Sequence, residues 1–316
     1  MTGTQLRIAH HFAPAVGASL GTHPAVAEAR TIDLANRWDF PTDVDVIFAP
    51  PDSSDVGTHA PRPAGWPGSV RFVQLASSGI DGYPAWLFDG PIVATSAGTS
   101  APAIAEFVLA TMLVHEKRLP EVIVRDGTPW PSQAALLQRP LGSLDGKTLG
   151  LLGVGHIGSR IATLANAFGM TVIAHRRSTA ASPDPAFTVV PFDQLLARAD
   201  HLVIAAPLSP ETTGLIGADA LRQVRRGVHI VNIARGAIID NAALIAALED
   251  GRVGAASLDV TAPEPLPPGD PLWTAPNIHI TPHIAWSSAA TPRRVFTLFV
   301  QNLERFAAGE RLINQV

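Results

Sequence analysis

The sequence predicts an α/β protein built on doubly wound parallel sheets. Three observations predict it. Short apolar runs alternate with amphipathic helical stretches from residue 148 to residue 281. A G-x-G-x-x-G turn joins the first of those runs to the first of those stretches. The length, 316 residues, suits two domains at roughly 100–200 residues each.

In the early chain, short apolar runs alternate with polar helical stretches, and residues 44–48 and 70–75 read as buried strands. Residues 50–68 (PPDSSDVGTHAPRPAGWPG) have the Pro, Gly and Ser content of a loop. Ser100 offers an N-cap and Pro102 falls in the first turn of a helix running to Leu119. Ile104, Phe107, Val108, Leu109, Met112 and Leu113 make that helix apolar nearly all round, as a helix between layers is. Strands are then expected at 148–152, 171–174, 201–206, 229–233, 256–260 and 278–281. The helices between them are 157–168, stopped by Gly169, then 192–198, 218–224, and 241–250, stopped by Gly251. A last amphipathic helix carries Val295, Phe296, Phe299, Leu303 and Phe306 and ends at Gly309. About 140 residues precede the regular block and about 30 follow it, so a dinucleotide-type domain is expected as an insertion in a domain made of both chain ends.

Composition narrows the function. Apolar residues are 47% and charged residues 16%, and the net charge of −4 gives no general attraction to nucleic acid or anionic lipid. The sequence has no cysteine, which excludes a disulfide framework, a thiolate metal site and a Cys nucleophile. The start, MTGTQLRIAHHFAPAVG, lacks the basic and long apolar regions of a signal peptide, and no apolar run reaches the ~18–20 residues of a membrane span. A cytoplasmic protein is expected. The histidines show no His-x-x-x-His spacing on a helix, so no metal is expected.

In Leu151-Leu152-Gly153-Val154-Gly155-His156-Ile157-Gly158 the glycines have separate tasks. Gly153 permits the tight turn, Gly155 lets backbone approach a pyrophosphate, and Gly158 lets helix and strand pack closely. The helix N-terminus offers N–H groups and a positive dipole to phosphate. The bland alternative is a turn without ligand. An NAD site usually carries an acid about 20 residues on, for the ribose hydroxyls. Here the strand at 171–174 runs instead into His175-Arg176-Arg177-Ser178. Arginines attract a 2′-phosphate that a carboxylate would repel, so Arg176 and Arg177 favour NADP, with NAD as the alternative. Two solvated loop arginines are the competing reading.

Three more stretches fall at strand ends, where such sheets bind ligands: residues 231–236 (VNIARG), 258–265 (LDVTAPEP) and 281–285 (TPHIA). They supply Arg235, Glu264 and His283. A 2-oxo acid offers a carboxylate and a polarised carbonyl to the planar fork of Arg235. Hydride attack leaves an alkoxide needing a proton, which His283 can give because imidazole titrates near pH ~6.5. Glu264 beside the ring would favour imidazolium and set its tautomer. Singly, each has a bland reading as surface arginine, solvated loop acid and satisfied strand-end histidine; only the ordered set argues for chemistry.

With these stretches in view, the chain resembles the D-isomer-specific 2-hydroxyacid dehydrogenase family, in its glyoxylate/hydroxypyruvate reductase-like branch. The glycine turn, residues 207–212 (PLSPET), 232–236, 259–265 and 281–285 carry the likeness, with 78–81 (SGID), Ala105-Glu106, 302–306 (NLERF) and Gly309-Glu310. It covers residue 70 to the end. The resemblance implies a Rossmann cofactor domain (100–285) inserted in a flavodoxin-like substrate domain (1–99 plus 286–316), and a homodimer. It implies catalytic roles for Arg235, Glu264 and His283, and substrate carboxylate binding by the amides of Ser78 and Gly79. It implies cofactor contacts at Gly153, Gly155, His156, Ile157, Gly158, Pro207, Thr212, Ile233, Ala234 and Asp259. Departures from the family pattern are Arg176 in place of the acid, Thr261-Ala262, and Trp286, which reads either as a pocket wall or as packing. Trp66 and Trp130 are further pocket candidates. Two other readings stay open: a cofactor-sensing, corepressor-like binding protein, and a dehydrogenase of another small anion such as phosphite or formate.

Overall fold

The computed structural model describes residues 5–41, 43–51, 60–125, 130–177 and 184–316. The chain divides into two compact units, Met1–Thr99 with Ser288–Val316, and Ser100–Ser287.

The first unit holds five parallel strands: β1 (Leu6–His10), β2 (Val26–Thr31), β3 (Val46–Ala49), β4 (Phe72–Leu75) and β5 (Ile92–Ala94), in the order β2-β1-β3-β4-β5. This is the flavodoxin-like order. α1 (Pro14–Gly21) follows β1. Alternate residues face opposite layers, so Leu6, Ile8, Val46, Phe48 and Phe72 join one apolar cluster while Ala9, Ile47, Ala49, Val73 and Leu75 join the other. β3 and β4 begin two residues later than the apolar pattern suggests. Val70 is buried, but its N–H closes a turn onto the Pro67 carbonyl, so the pattern runs on outside the ladder. Trp66 is a core residue: it meets the Trp86 ring at 4.8 Å and donates to the Asp89 carbonyl. Most of the expected loop at 50–68 lies outside the described residues.

The second unit starts with α2 (Ala101–Lys117), buried along Ala101, Ile104, Ala105, Val108, Leu109 and Met112. Ser100 has φ −93° and ψ −3° and makes no side-chain cap, because that backbone does not aim its hydroxyl at the helix N–H groups. The helix ends two residues early, where Arg118 turns left-handed at φ +46°. Two short helices follow, α3 (Leu119–Val122) and α4 (Gln133–Gln138). Then come β6 (Thr148–Leu152), α5 (His156–Ala167), β7 (Thr171–His175), β8 (Thr188–Val189), α6 (Phe192–Arg198), β9 (His201–Ile204), α7 (Ala218–Gln223), β10 (Val228–Asn232), α8 (Asn241–Glu249), β11 (Val253–Leu258) and β12 (Ile278–Ile280). The seven strands are parallel, in the order β12-β11-β10-β9-β6-β7-β8, a doubly wound sheet that reverses between β6 and β9. β11 starts three residues before its expected position because Gly254 interrupts the apolar pattern; a Cβ there would come 2.6 Å from the Gly227 carbonyl oxygen. α5 ends in a Schellman motif, with Gly169 at φ +78° and the Met170 N–H on the Ala165 carbonyl at 3.1 Å. No helix among the described residues is long and apolar enough to cross a membrane.

The chain returns to the first unit through α9 (Thr291–Ala307), which buries Val295, Leu298, Phe299 and Leu303. Asn302 is also buried. Its amide donates to Gln74 Oε1 at 2.8 Å and accepts from the Ile313 N–H at 2.8 Å. Asn302→Ala leaves these buried groups unpaired, and urea unfolding should show a loss of about 1–3 kcal/mol. An unchanged midpoint would contradict that role.

At the end of α2 the second unit buries a polar network. Lys147 Nζ reaches Glu116 Oε1 at 2.6 Å, and His201 Nε2 lies 3.0 Å from the same oxygen. His201 and His229 share a contact between Nδ1 atoms at 3.1 Å, and His229 Nε2 meets Ser257 Oγ at 3.0 Å. His115 stacks on His229 with ring centroids 4.3 Å apart. Burial opposes the Glu116 carboxylate, yet His201 and Lys147 outweigh it and hold its pKa at about 2. Burial, then neighbouring histidines, push His115 and His229 below the ordinary imidazole value, and burial lowers His10 and His11 likewise. A histidine kept neutral by folding binds more protons when unfolded. Its stabilisation is therefore complete above pH ~6.5 and is lost as pH falls below it. The thermal midpoint should drop between pH 7 and pH 5, each such histidine adding at most about 1.4 kcal/mol per pH unit. Differential scanning calorimetry across that range checks this, and a flat midpoint would refute it.

Candidate active site

The strands of the second unit are parallel, so their C-terminal ends share one edge, and the glycine turn lies there. Gly153 has φ +94° and its N–H bonds to the His175 carbonyl at 2.9 Å. A Cβ on Gly153 would come 2.6 Å from the Ala206 backbone, so only glycine allows the turn to cross the chain leaving β9. A Cβ on Gly158 would come 2.6 Å from the Gly153 carbonyl oxygen. Gly155 faces open space instead. The turn thus leaves a backbone-lined surface at the start of α5, whose first N–H groups lack intrahelical partners, with His156 and Ile157 opening the helix. These residues fit a dinucleotide pyrophosphate.

Arg176 and Arg177 follow β7, beside this turn through the Leu152–His175 pairing. Ser178 lies outside the described residues. No acid stands in the described residues 175–177. Glu211, which accepts from Ser209 Oγ, has a pKa lowered first by that bond and in small part by Arg177. Across the switch point, Thr212 Oγ1 donates to the Pro207 carbonyl at 2.8 Å and accepts from the Ser209 N–H at 2.8 Å. Thr212 therefore closes the loop that Pro207 opens.

After β10 the backbone turns through Ile233 and Ala234 to Arg235. Asn232 shapes the turn: its amide donates to the Arg235 carbonyl at 2.9 Å and its Oδ1 accepts from the Ala234 N–H at 3.1 Å. Gly236 follows, and a Cβ there would overlap the Thr261–Ala262 peptide. This close approach brings the Arg235 turn against the loop that carries Glu264. Asn241 Nδ2 donates to the Ala262 carbonyl at 3.0 Å, tying that loop to the start of α8.

Glu264 and His283 meet at 2.6 Å, Oε1 to Nδ1. Both are part-exposed, with 37% and 39% of their side chains accessible, so screening by water limits what the ion pair adds to stability. Burial raises the Glu264 pKa, but the His283 bond and charge, the Thr261 N–H and Arg235 bring it below the ordinary value. Glu264 is thus a carboxylate at neutral pH, able to accept from the imidazole Nδ1–H and leave Nε2 free of that contact.

Asp259 follows β11, is 3% exposed, and pins the His283 turn. Its carboxylate accepts from Thr281 Oγ1 at 2.6 Å, the Ile284 N–H at 2.9 Å and the Ala285 N–H at 2.9 Å. The His283 N–H bonds to the Asp259 carbonyl at 2.8 Å. Sequence reasoning left out Asn232, Asn241 and Thr281, which shape turns; none bonds Glu264 or His283 through its side chain, and the Thr281 carbonyl accepts from the His283 N–H at 3.0 Å. Asn232 and Thr281 stand inside the quoted motifs, which was the one available signal. Trp130 is 84% exposed in the second unit. Ser78 and Gly79 follow β4 in the first unit, where Ser77 Oγ donates to the Gly79 carbonyl at 2.7 Å and so folds the turn. Among the described residues no cluster of His, Cys, Asp and Glu is arranged to hold a metal ion.

Residues 109–285 match the model of the D-isomer specific 2-hydroxyacid dehydrogenase, NAD binding domain. A glyoxylate reductase of Aeropyrum pernix is 38% identical over 70% of this chain and 68% of its own length. A hydroxypyruvate reductase of Blautia hydrogenotrophica is 35% identical over 66% of both chains. Among solved structures, a D-isomer specific 2-hydroxyacid dehydrogenase from Xanthobacter autotrophicus, crystallised with NADPH and MES, superposes with a TM-score of 0.75 at 29% identity, covering 100% of this chain and 98% of that one. With its glycine turn and its His283–Glu264 pair on one edge of a doubly wound sheet, and with these matches, the chain belongs to the D-isomer-specific 2-hydroxyacid dehydrogenase family.

Proposed function

We propose that the protein reduces a small 2-oxo acid, of the glyoxylate or hydroxypyruvate kind, to the D-2-hydroxy acid, and that it prefers NADPH to NADH. The observation that carries this reading is the 2.6 Å His283–Glu264 pair on the sheet edge that also bears the glycine turn. The relatives named glyoxylate reductase and hydroxypyruvate reductase support the substrate class. Arg176 in the place of an acid, together with the NADPH-bound relative, supports the cofactor preference.

Bound nicotinamide supplies the hydride. Arg235 grips the substrate carboxylate and carbonyl through its guanidinium fork. His283, with Nδ1 held by Glu264, delivers the proton of Nε2 to the oxygen that becomes the hydroxyl. Glu264 stabilises the imidazolium and keeps its own proton off. Pro207, Thr212, Ile233, Ala234 and Asp259 would line the cofactor. A homodimer suits the exposed apolar side chains of Ile123, Trp130, Leu136 and Leu137, which belong to the cofactor-binding unit.

His283→Ala should lower kcat by about 10²–10⁴-fold, the usual worth of a general acid, with cofactor affinity nearly unchanged. Steady-state turnover and cofactor fluorescence titration read the two, and undiminished turnover would reject His283 as the proton donor. Arg176→Ala should weaken NADPH binding by about 10–100-fold, the loss expected of a charge-assisted bond, and NADH binding by far less. Equal losses for the two cofactors would reject the 2′-phosphate contact.

A further inference from the structure

His283 has a left-handed backbone, φ +51°, an uncommon state for a residue with a side chain. Such a conformation persists only where its surroundings over-determine it. Three of its restraints come from the chain already described: the Asp259 carboxylate on the Ile284 and Ala285 N–H groups, and the Asp259 carbonyl on the His283 N–H. These hold the residue and the two that follow through donors alone. The acceptor side, the His283 carbonyl, is taken by Trp286, whose indole Nε1–H donates to it at 2.8 Å.

The Trp286 ring lies partly in water. It is 48% exposed and belongs to no buried apolar cluster of the second unit, whereas Ala285 beside it is buried in one. The ring is half in water, and its indole N–H is the polar handle aimed at the His283 carbonyl. The bond also spans three residues from carbonyl to indole, closing the turn through an acceptor that Asp259 does not use. With both sides held, the His283 Cα–Cβ direction is set, and with it the 2.6 Å contact to Glu264.

We propose that Trp286 is a positioning residue: its indole N–H, donated to the His283 carbonyl, holds the left-handed turn that keeps the imidazole on Glu264. Trp286 does not touch the reacting atoms in this role. It rests on the reading of His283 as proton donor for its kinetic consequence, but not for its structural one.

The test compares the full-length protein with Trp286→Phe and with β-(3-benzothienyl)alanine installed at position 286, which keeps the ring size and removes only the N–H. In both, kcat for glyoxylate with NADPH should fall about three- to tenfold, as one lost neutral hydrogen bond allows, with KM and the thermal midpoint little changed. A loosened Glu264 contact disfavours imidazolium, so the fall of kcat/KM with rising pH should move to lower pH. The second readout needs no substrate. The proton NMR resonance of the Nδ1–H between His283 and Glu264, assigned by its loss in Glu264→Gln, should broaden or shift in both variants. A raised KM with normal kcat and an intact resonance would make Trp286 a pocket wall and overturn the proposal. Wild-type kinetics, pH profile and resonance in the benzothienyl variant would overturn it too. If the unmodified protein turns over no 2-oxo acid with either cofactor, the proposed reaction falls, and the resonance alone still decides for or against the brace.

Discussion

The active-site edge depends on one buried carboxylate. Asp259 follows β11 with its carboxylate out of water, and such a group is tolerated only when donors surround it. Here the donors are Thr281 Oγ1 and the Ile284 and Ala285 N–H groups, all from the turn that bears His283. Satisfying the charge and shaping the turn are therefore the same act. The direction of His283, its contact with Glu264 and the backbone strain at φ +51° all follow from it.

The parallel sheet explains why so few contacts suffice. Each strand of the second unit delivers its loop to the same edge, and the sheet reversal between β6 and β9 parts the loops enough for a ligand. Glycine sets how closely the loops approach. Gly153 lies on the chain after β9, and Gly236 lies on the peptide before the Glu264 loop. Polar side chains then lock each loop internally: Asn232 for the Arg235 turn, Thr212 for the Pro207 loop, Asn241 for the loop to Glu264.

The same residue types behave differently elsewhere in that unit. Glu264 and His283 are part-exposed, so protons exchange readily with water. Glu116, His201 and His229 are buried at the beginnings of β9 and β10 and the end of α2, away from solvent. There a carboxylate is balanced by Lys147, and His229 stays neutral because burial and neighbouring imidazoles oppose its charge. A histidine–glutamate contact is thus open to solvent in one place and part of the core in the other, and burial sets the difference.

By itself the sequence determined the fold class, the order of elements from β6 to β12 apart from the two-residue β8, the glycine turn and the identities of Arg235, Glu264 and His283. These are local properties: strand and helix periods, turn glycines and short motifs are written in neighbouring residues. It also marked Trp286 as unusual without saying what it does. Tertiary structure alone decided that Glu264 and His283, 19 residues apart, touch, that Asp259 serves the His283 turn, that Trp66 is core, and that Trp286 donates to a carbonyl. It also decided where β3, β4 and β11 begin, since Val70 and Gly254 are governed by a turn and by a neighbouring backbone rather than by their own period. The physical reason is common to all of these. Each depends on the distance between groups remote in the chain, and that distance exists only once the loops are gathered at the edge of the sheet.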